Sequence, residues 1–416
     1  MSERIGPAPW ITAKETTAVL DALEAKGGPD CARFVGGCVR DALLGRPVND
    51  VDIATILTPD QVAEALKAAG LKVIPTGVEH GTVTAVSGGR PFEITTLRRD
   101  VSTDGRRAVV AFTTDWMEDA ERRDFTLNAL YARRDGEVFD SSGRGVEDAR
   151  AGRIVFMGEP VRRILEDHLR ILRFFRFFAW FGRGEPDAAG LAACAEHKGA
   201  IANLAAERIS AELLKLLAAD DPRRAVRLMA QSGVLATVLP EAVALGRFEA
   251  MVEIESEQLF ETEAVLRLAA MMPDDPAVAP ALAERLRLSN EHRDRIAAAL
   301  GKSPPIKSWM SARETRRAVY ALGHQAFRDR VKLAWTVATS TATAPQWRGL
   351  IALGEGWSAP AFPLNGDEVV RAGVPRGPMV GQVLKEVEAW WIDHDFIDDK
   401  LAAIEKLKAV AQGMAY

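Results

Sequence analysis

Hydrophobic periodicity changes once along this chain, near Pro160, and that change constrains the fold more than any single motif. Over the first ~150 residues, short β-type runs (RFVGG, DVDIATI, LKVI, TVTAV, FEITTL) alternate with helical ones. Pro59 opens the helical run PDQVAEALKAAG, Gly70 closes it, and Gly88-Gly89 separates two strand-like runs. This mixture predicts an α+β domain. Beyond Pro160 the period-two alternation almost vanishes. VRRILEDHLRILRFFRFFAWFG, ERISAELLKLLAADD, PRRAVRLMAQSG and ALAERLRL space their apolar residues as helices do, with Asp, Ser, Pro and Gly at the breaks. A long all-helical arm is therefore expected, with Pro/Gly-rich joints near 302–306 and 358–364.

A chain of 416 residues has room for roughly two to four domains. No apolar run approaches the ~18–20 residues of a membrane span. The N-terminal stretch lacks the basic start and apolar core of a signal peptide. Cys31, Cys38 and Cys194 are too widely spaced for a disulfide framework or a metal knuckle, which suits a reducing, cytoplasmic setting. The net charge of −5 counts against a uniformly basic nucleic-acid surface, so any such site must come from local clustering of arginines.

The first cluster with chemical content is FVGGCVRDALLGRPVNDVDIAT, residues 34–55. A strand enters Gly36-Gly37 and a short helix leaves it. Glycines at such a turn let backbone N–H groups approach a phosphate, and Arg40 in the first helical turn is placed to reach a triphosphate. Asp50 and Asp52 stand at i and i+2 in a β-type run, which predicts two carboxylates on one strand face. Such a pair repels itself unless a cation lies between, and hard oxygen donors suit Mg2+. Turn, cation and carboxylates follow in the order a nucleotide site needs.

These residues resemble the signature of the polymerase-beta-like nucleotidyltransferases, in the branch holding CCA-adding enzymes and bacterial poly(A) polymerases. TGVEHGTVTAV (76–86) is similar to a strand pair of the CCA-adding members. FEITTLRRD (92–100) resembles the strand that supplies a third acidic residue, here Glu93. Residues 98–115 resemble the family's flexible loop at full length, whereas enzymes that add only CC tend to shorten it. In EDAERRDFTLNALYA (118–132), Arg122, Arg123 and Asp124 precede an amphipathic run that reads as a helix start. The match to the RRDFT-x-NAL motif implies that Arg123 contacts the incoming nucleotide, with Asp124 beside it.

In ILEDHLRILRFFRFF (164–178), read as one helix, Glu166, Asp167, Arg170, Arg173 and Arg176 cover about half the circumference. Ile164, Leu165, Ile171, Leu172, Phe175 and Phe178 cover the rest. The arginines lack acidic partners at helical spacing after Asp167, and Phe174 and Phe177 interrupt the polar stripe. Such a face suits a bound nucleotide. The stretch resembles the ED-x-x-R motif, which implies that Asp167 and Arg170 read the base edge, Glu166 supports them, and Arg173 and Arg176 hold the nucleotide. C and A both present an exocyclic amine there, while U and G do not. ERISAEL (207–213) resembles the neck helix. PLNGDEVVRAGVPRGPMVGQVLKEVE (363–388) resembles a tRNA-gripping tail in which Gly377 to Gly381 open a helix, and Trp390-Trp391 reads as core. His394-Asp395 stands alone, without the second cluster of an appended metal phosphohydrolase domain.

The resemblance implies a nucleotidyltransferase head at 1–150, a helical neck at 151–240, a body at 241–355 and a tRNA-binding tail at 356–416. The helical part is expected to be elongated. The implied activity is addition of CMP, CMP and AMP to the 3′ end of tRNA from CTP and ATP, without a nucleic-acid template. Asp50 and Asp52 would hold metal and Glu93 would join them in catalysis; no obligate protein partner is implied. The alternatives are poly(A) addition and partial CC- or A-addition; a non-catalytic RNA-binding relative is disfavoured by retention of both aspartates.

Overall fold

A mixed sheet near the N-terminus positions the site. Its strands are β1 (Ala32–Val35), β2 (Asp52–Thr55), β3 (Lys72–Gly77), β4 (Thr82–Ser87), β5 (Arg90–Thr96), β8 (Leu130–Ala132) and β9 (Val138–Asp140). They lie in the order β3-β4-β5-β2-β1-β8-β9, and among the described residues β2–β5 is the one parallel pair. A separate two-stranded ribbon joins β6 (Arg98–Thr103) to β7 (Ala108–Phe112). The computed structural model describes residues 3–77, 81–103, 108–338 and 341–413. Residues 78–80 of the TGVEHGT stretch, and 104–107 of the loop expected over 98–115, lie outside the described residues.

Local chemistry explains the elements. Thr58 caps the helix Pro59–Ala68 through a reciprocal capping box with Gln61, and Pro59 fills the first helical position. Gly88 and Gly89, at φ +56° and +80°, turn β4 into β5 so that Ser87 pairs with Arg90. Helices Lys14–Gly27 and Pro59–Ala68 cover one face of the sheet, burying Val19, Leu23, Val62 and Leu66 against Phe34, Ile53, Val83 and Ile94. On the other face Val35, Ala54, Leu97, Ala120, Ala129, Tyr131 and Met157 form a second core. Cys31, Cys38 and Cys194 are free and buried, and burial pushes the Cys31 thiol up to about 11.

After Asp140 the described residues form helices, turns and loops, apart from an isolated bridge between Phe125 and Phe156. The run 164–178 is not one helix. It breaks into Pro160–Glu166 and Arg170–Phe181, with Asp167 extended at φ −151°. The circumference expected for a single helix therefore fails, and Leu165, assigned to the apolar half, is 51% exposed. Phe174 and Phe177 are buried rather than lying on a polar face. Phe174 stacks on Phe156 at 5.7 Å and Phe177 meets Phe125 edge-on at 5.2 Å, so these rings fasten the helix to the segments that carry Phe125 and Phe156.

The chain divides into two compact units after Ala242. The second, from Val243, is helical and has two cores. One gathers Ile254, Val319, Phe327, Val331, Trp335 and Trp347. The other gathers Val369, Val383, Val387, Leu407 and Val410, with Trp390 packed against it. Trp391 is 2% exposed, as a core residue should be, and Gly377 caps the helix Pro378–Asp393.

Candidate active site

β1 ends at Val35 and the chain turns through Gly36 at φ +70°, a conformation that costs any residue with a Cβ. A Cβ at Gly36 would also stand 3.6 Å from Arg123 Nη1 and 3.7 Å from the carbonyl of Asn128. The helix Gly37–Leu43 follows directly, and the chain returns as β2, whose first residue is Asp52. Asp50 is therefore not on the strand, contrary to the spacing argument. It is exposed, in a loop where Gly45 has φ +65° and Pro47 offers no N–H to a ladder. The carboxylate in register with Asp52 is Glu93, its Cα partner on parallel β5. Residues paired across such strands share a sheet face about 4.8 Å apart.

Asp52 is pushed up to about 6, first by burial and then by Glu93, with Asp50 adding to the rise and Arg123 opposing it. Three carboxylates and one guanidinium thus share a single electrostatic neighbourhood, and its negative side lacks a compensating cation. Among the described residues no three Asp, Glu, His or Cys side chains are gathered tightly enough to hold an ion by themselves. The donors present are all hard carboxylate oxygens. Positions left over would fall to phosphate and water, which fits a hard divalent cation.

Arg123 connects the carboxylates to the glycine turn. It follows the short helix Trp116–Glu121 and leads into a 3-10 turn at Thr126–Asn128, so the helix start expected after Asp124 is absent. The guanidinium is fixed from behind: Nε donates to Tyr131 Oη at 3.0 Å and Nη2 to Asp119 Oδ2 at 3.1 Å. Asp119 is 1% exposed and also accepts from Tyr131 Oη at 2.6 Å and Arg122 Nη2 at 2.6 Å. Burial alone would raise Asp119, but Arg123 and Arg122 hold it down to about 2. Asp119 and Tyr131 were not singled out from the sequence. The i,i+4 spacing of Asp119 and Arg123 was the available signal for the first; the Tyr131 contact depends on the fold.

Arg40 and Asp124 are enclosed. Arg40 is 7% exposed; it grips Asp41 through Nε (2.9 Å) and Nη2 (3.0 Å), donates to Asn128 Oδ1 at 2.7 Å and lies 3.9 Å above the Phe181 ring. Asp124 accepts from Asn128 Nδ2 at 3.1 Å and from Arg173 Nε and Nη2 at 2.7 and 2.5 Å. Burial raises its carboxyl, yet Arg173 and Asn128 hold it at about 2.

The arginines thought to lack acidic partners have them. Arg173 takes Asp124, and Arg176 Nε donates to Glu212 Oε2 at 2.5 Å. Both partners are distant in sequence, so helical spacing was blind to them. Glu166 accepts from Arg163 and from Arg170 Nη1 at 2.8 Å. Arg170 Nη2 reaches the Arg122 carbonyl at 2.9 Å, and Arg163 also donates to the carbonyls of Arg122 and Arg123. The helices Pro160–Glu166 and Arg170–Phe181 thereby grip the backbone that carries Arg123. Asp167 is more open: its side chain is 32% exposed, Oδ1 caps Leu169 N at 3.1 Å, and Oδ2 accepts from Arg208 Nη2 at 2.9 Å. Arg208, Glu212, Arg163 and Asn128 are further residues of this constellation that sequence reasoning missed.

Residues 32–155 match the family described as the poly A polymerase head domain, and residues 186–245 match one described as a probable RNA and SrmB-binding site of polymerase A. The mitochondrial CCA tRNA nucleotidyltransferase 1 of Mus musculus is 34% identical over 383 residues, spanning 86% of this chain and 82% of that protein. The CCA-adding enzyme of Latilactobacillus sakei is 30% identical, spanning 90% and 92%. Among solved structures, the Bacillus stearothermophilus CCA-adding enzyme in complex with CTP aligns over 99% of this chain and 98% of that one, with a TM-score of 0.77 at 26% identity.

Proposed function

The chain belongs to the CCA-adding tRNA nucleotidyltransferases, and on that premise we propose how its residues build CMP, CMP and AMP onto the 3′ end of tRNA from CTP and ATP. The observation that carries the residue assignment is the register of Asp52 with Glu93, beside an Arg123 whose Nη1 abuts the Gly36 turn. The family depends on a divalent metal, and we take it to be Mg2+, held by Asp50 and Asp52 with Glu93 completing the carboxylate set. When bound, Mg2+ supplies positive charge to the attacking and leaving oxygens.

The protein's own part is placement. The backbone of Gly36-Gly37 admits the triphosphate closely, and Arg123 takes up its charge from a position fixed by Asp119 and Tyr131. The tRNA 3′ oxygen attacks the α-phosphorus in line, the bond to the β-phosphate bridge breaks, and pyrophosphate leaves. Asp167 and Arg170 read the base edge, a carboxylate accepting from the exocyclic amine and a guanidinium donating to the ring. Glu166 holds Arg170. Arg40, Asp124 and Arg173 act as positioning residues that lock the neck onto the head, and Arg176, paired with Glu212, braces the neck itself.

The functional division runs head to 150, neck 151–240, body 241–355 and tail 356–416, the last gripping tRNA. Three buried free thiols suit a reducing compartment such as the cytoplasm, and no described helix is long and apolar enough to cross a membrane.

The test supplies tRNA ending at its discriminator base, in C, or in CC, with CTP, ATP or both, and sequences the products. Addition in the order C, C, A is expected on the first substrate and A alone on the third. An A homopolymer on any RNA would replace this reading with poly(A) addition, and arrest at CC or dependence on a preformed CC with a partial one.

A further inference from the structure

A second basic site lies at the far end of the neck helix Arg170–Phe181. Arg46, Trp180, Phe181, Arg183, Asp221 and Arg224 line a cavity of about 330 Å³. Phe181 lies between two guanidiniums, Arg40 at 3.9 Å and Arg46 at 4.6 Å from its ring centroid. Arg40 discharges onto Asp41, but among the described residues Arg46 donates only to the carbonyl of Trp180, at 3.0 Å. Arg183 packs its stem where a Cβ on Gly152 would stand, and among the described residues its guanidinium makes no hydrogen bond or ion pair. Arg224 meets Glu185 at 3.2 Å with both side chains open to solvent, a pairing worth little. Asp221, the acidic side chain at the cavity wall, is already held by Arg223 through Nε and Nη2, both at 2.8 Å.

With Arg46 and Arg183 unpaired by any acidic side chain among the described residues and Arg224 only loosely paired, the recess calls for an anion. The recess is also aromatic: Trp180 is 36% exposed and anchored by its indole N–H to the Lys215 carbonyl at 2.7 Å. Guanidinium plus an accessible indole is the pairing that tracks single-stranded RNA, phosphate on one and base on the other. We propose that this cavity binds a backbone phosphate of the tRNA acceptor strand, upstream of the 3′ end being extended. The proposal rests on tRNA being the substrate. It assigns Arg46, Arg183 and Arg224 to the RNA rather than to the nucleotide, and ties that anchorage to the neck helix through the Arg46–Phe181–Arg40 stack.

The test uses the full-length enzyme with Arg183→Ala, Arg224→Ala and the double substitution. Binding of tRNA lacking CCA is followed by fluorescence anisotropy across a salt series, with KM for CTP measured in the same preparations. The double variant should bind tRNA about 10-fold more weakly, with the slope of log K against log salt shallower by about one for each phosphate no longer engaged. KM for CTP should stay within two-fold (~0.4 kcal/mol) of wild type. Arg183→Lys with Arg224→Lys should restore most of the affinity, because charge rather than fold is at issue. An unchanged salt slope, or a weakening equal in the Lys and Ala variants, would overturn the proposal. So would a rise in KM for CTP at constant tRNA affinity, which would hand the cavity to the nucleotide. Wild-type CCA addition run alongside separates this result from failure of the enzymatic reading itself.

Discussion

At the scale of single residues, the proposed site separates groups assigned to substrate or metal from groups that hold them. Asp52 is the first kind: half-buried at the start of β2, facing Glu93, and costly to keep charged without a cation. Asp52→Ala should reduce nucleotide incorporation by roughly 10³-fold or more, while tRNA still binds. Retained activity would remove the metal assignment. Arg123 tolerates no shortcut either. Lysine keeps the charge but cannot contact Tyr131 and Asp119 and still offer a nitrogen beside Gly36. Arg123→Lys should lower kcat about 10²-fold, and Asp119→Asn, which loosens the same guanidinium without touching substrate, should lower it less. The pair proposed to read the base is uneven. Asp167 is open and bound to Arg208, whereas Arg170 is spent on Glu166 and on the carbonyls of Arg122 and Arg163. Asp167→Ala should therefore relax base choice, with UTP and GTP incorporation rising relative to CTP while CTP addition persists. Arg170→Ala should relax it and also weaken addition of every nucleotide. Misincorporation by the Asp167 variant no higher than wild type would take the neck out of base selection.

Elements explain which parts of this arrangement the sequence disclosed. The sheet, its Gly88-Gly89 hairpin and the capped helix at Pro59 were readable because period, turn and cap are local signals. Periodicity placed Glu93 on its strand, but its acidic role came through family likeness alone, since an exposed strand glutamate looks ordinary; its register with Asp52 is a property of strand order. The neck was misread for the same reason in reverse. A break at Asp167 and acidic partners at Asp124 and Glu212 are tertiary, so spacing within the run 164–178 left Arg173 and Arg176 looking unpaired. Asp124 gives the hold on the helix Arg170–Phe181 a pH dependence. Asp124 and Asp119 both sit at about 2 in the fold, below the ordinary carboxylate range, because guanidiniums outweigh burial. A lowered folded pKa contributes stability that is complete above the unfolded value near 3.8 and drains away as pH falls toward 2. For Asp124 the drop is worth roughly 2 kcal/mol. Denaturant titrations followed by tryptophan fluorescence should give a midpoint that rises as pH falls through about 6, where Asp52 takes up its proton in the fold, and that falls between 4 and 2. Asp124→Asn should flatten that fall; an identical acid limb in the variant would show that the clamp does not set it.

For the whole molecule, the division after Ala242 sets where damage is felt. Every residue assigned here to metal, nucleotide or base lies in the first unit, which has its own two cores. The second unit is built around buried charge. Glu255 and Arg267 are each 1% exposed at the side chain and bond at 2.6 Å, and Glu263 draws in Arg328 at 3.1 Å and Lys332 at 3.3 Å. Burial raises Glu255, with Arg267 as the leading opposing influence, so removing Arg267 leaves a buried carboxylate with only the Glu263 N–H and the Lys332 charge in partial compensation. Breaking one side of such a pair costs about 3–5 kcal/mol, a large share of what a unit this size possesses. Arg267→Met should accordingly raise hydrogen exchange through the helices Leu245–Glu257 and Ala264–Met271, while exchange in β2 and β5 and KM for CTP hold at wild-type values. Replacing Glu255 as well, by Leu, should recover most of the loss, since an apolar pair of similar volume carries no stranded charge. If CTP affinity fell with Arg267→Met, nucleotide binding would not be the property of the first unit alone, and assignment of the site to residues ahead of Val243 would have to be widened.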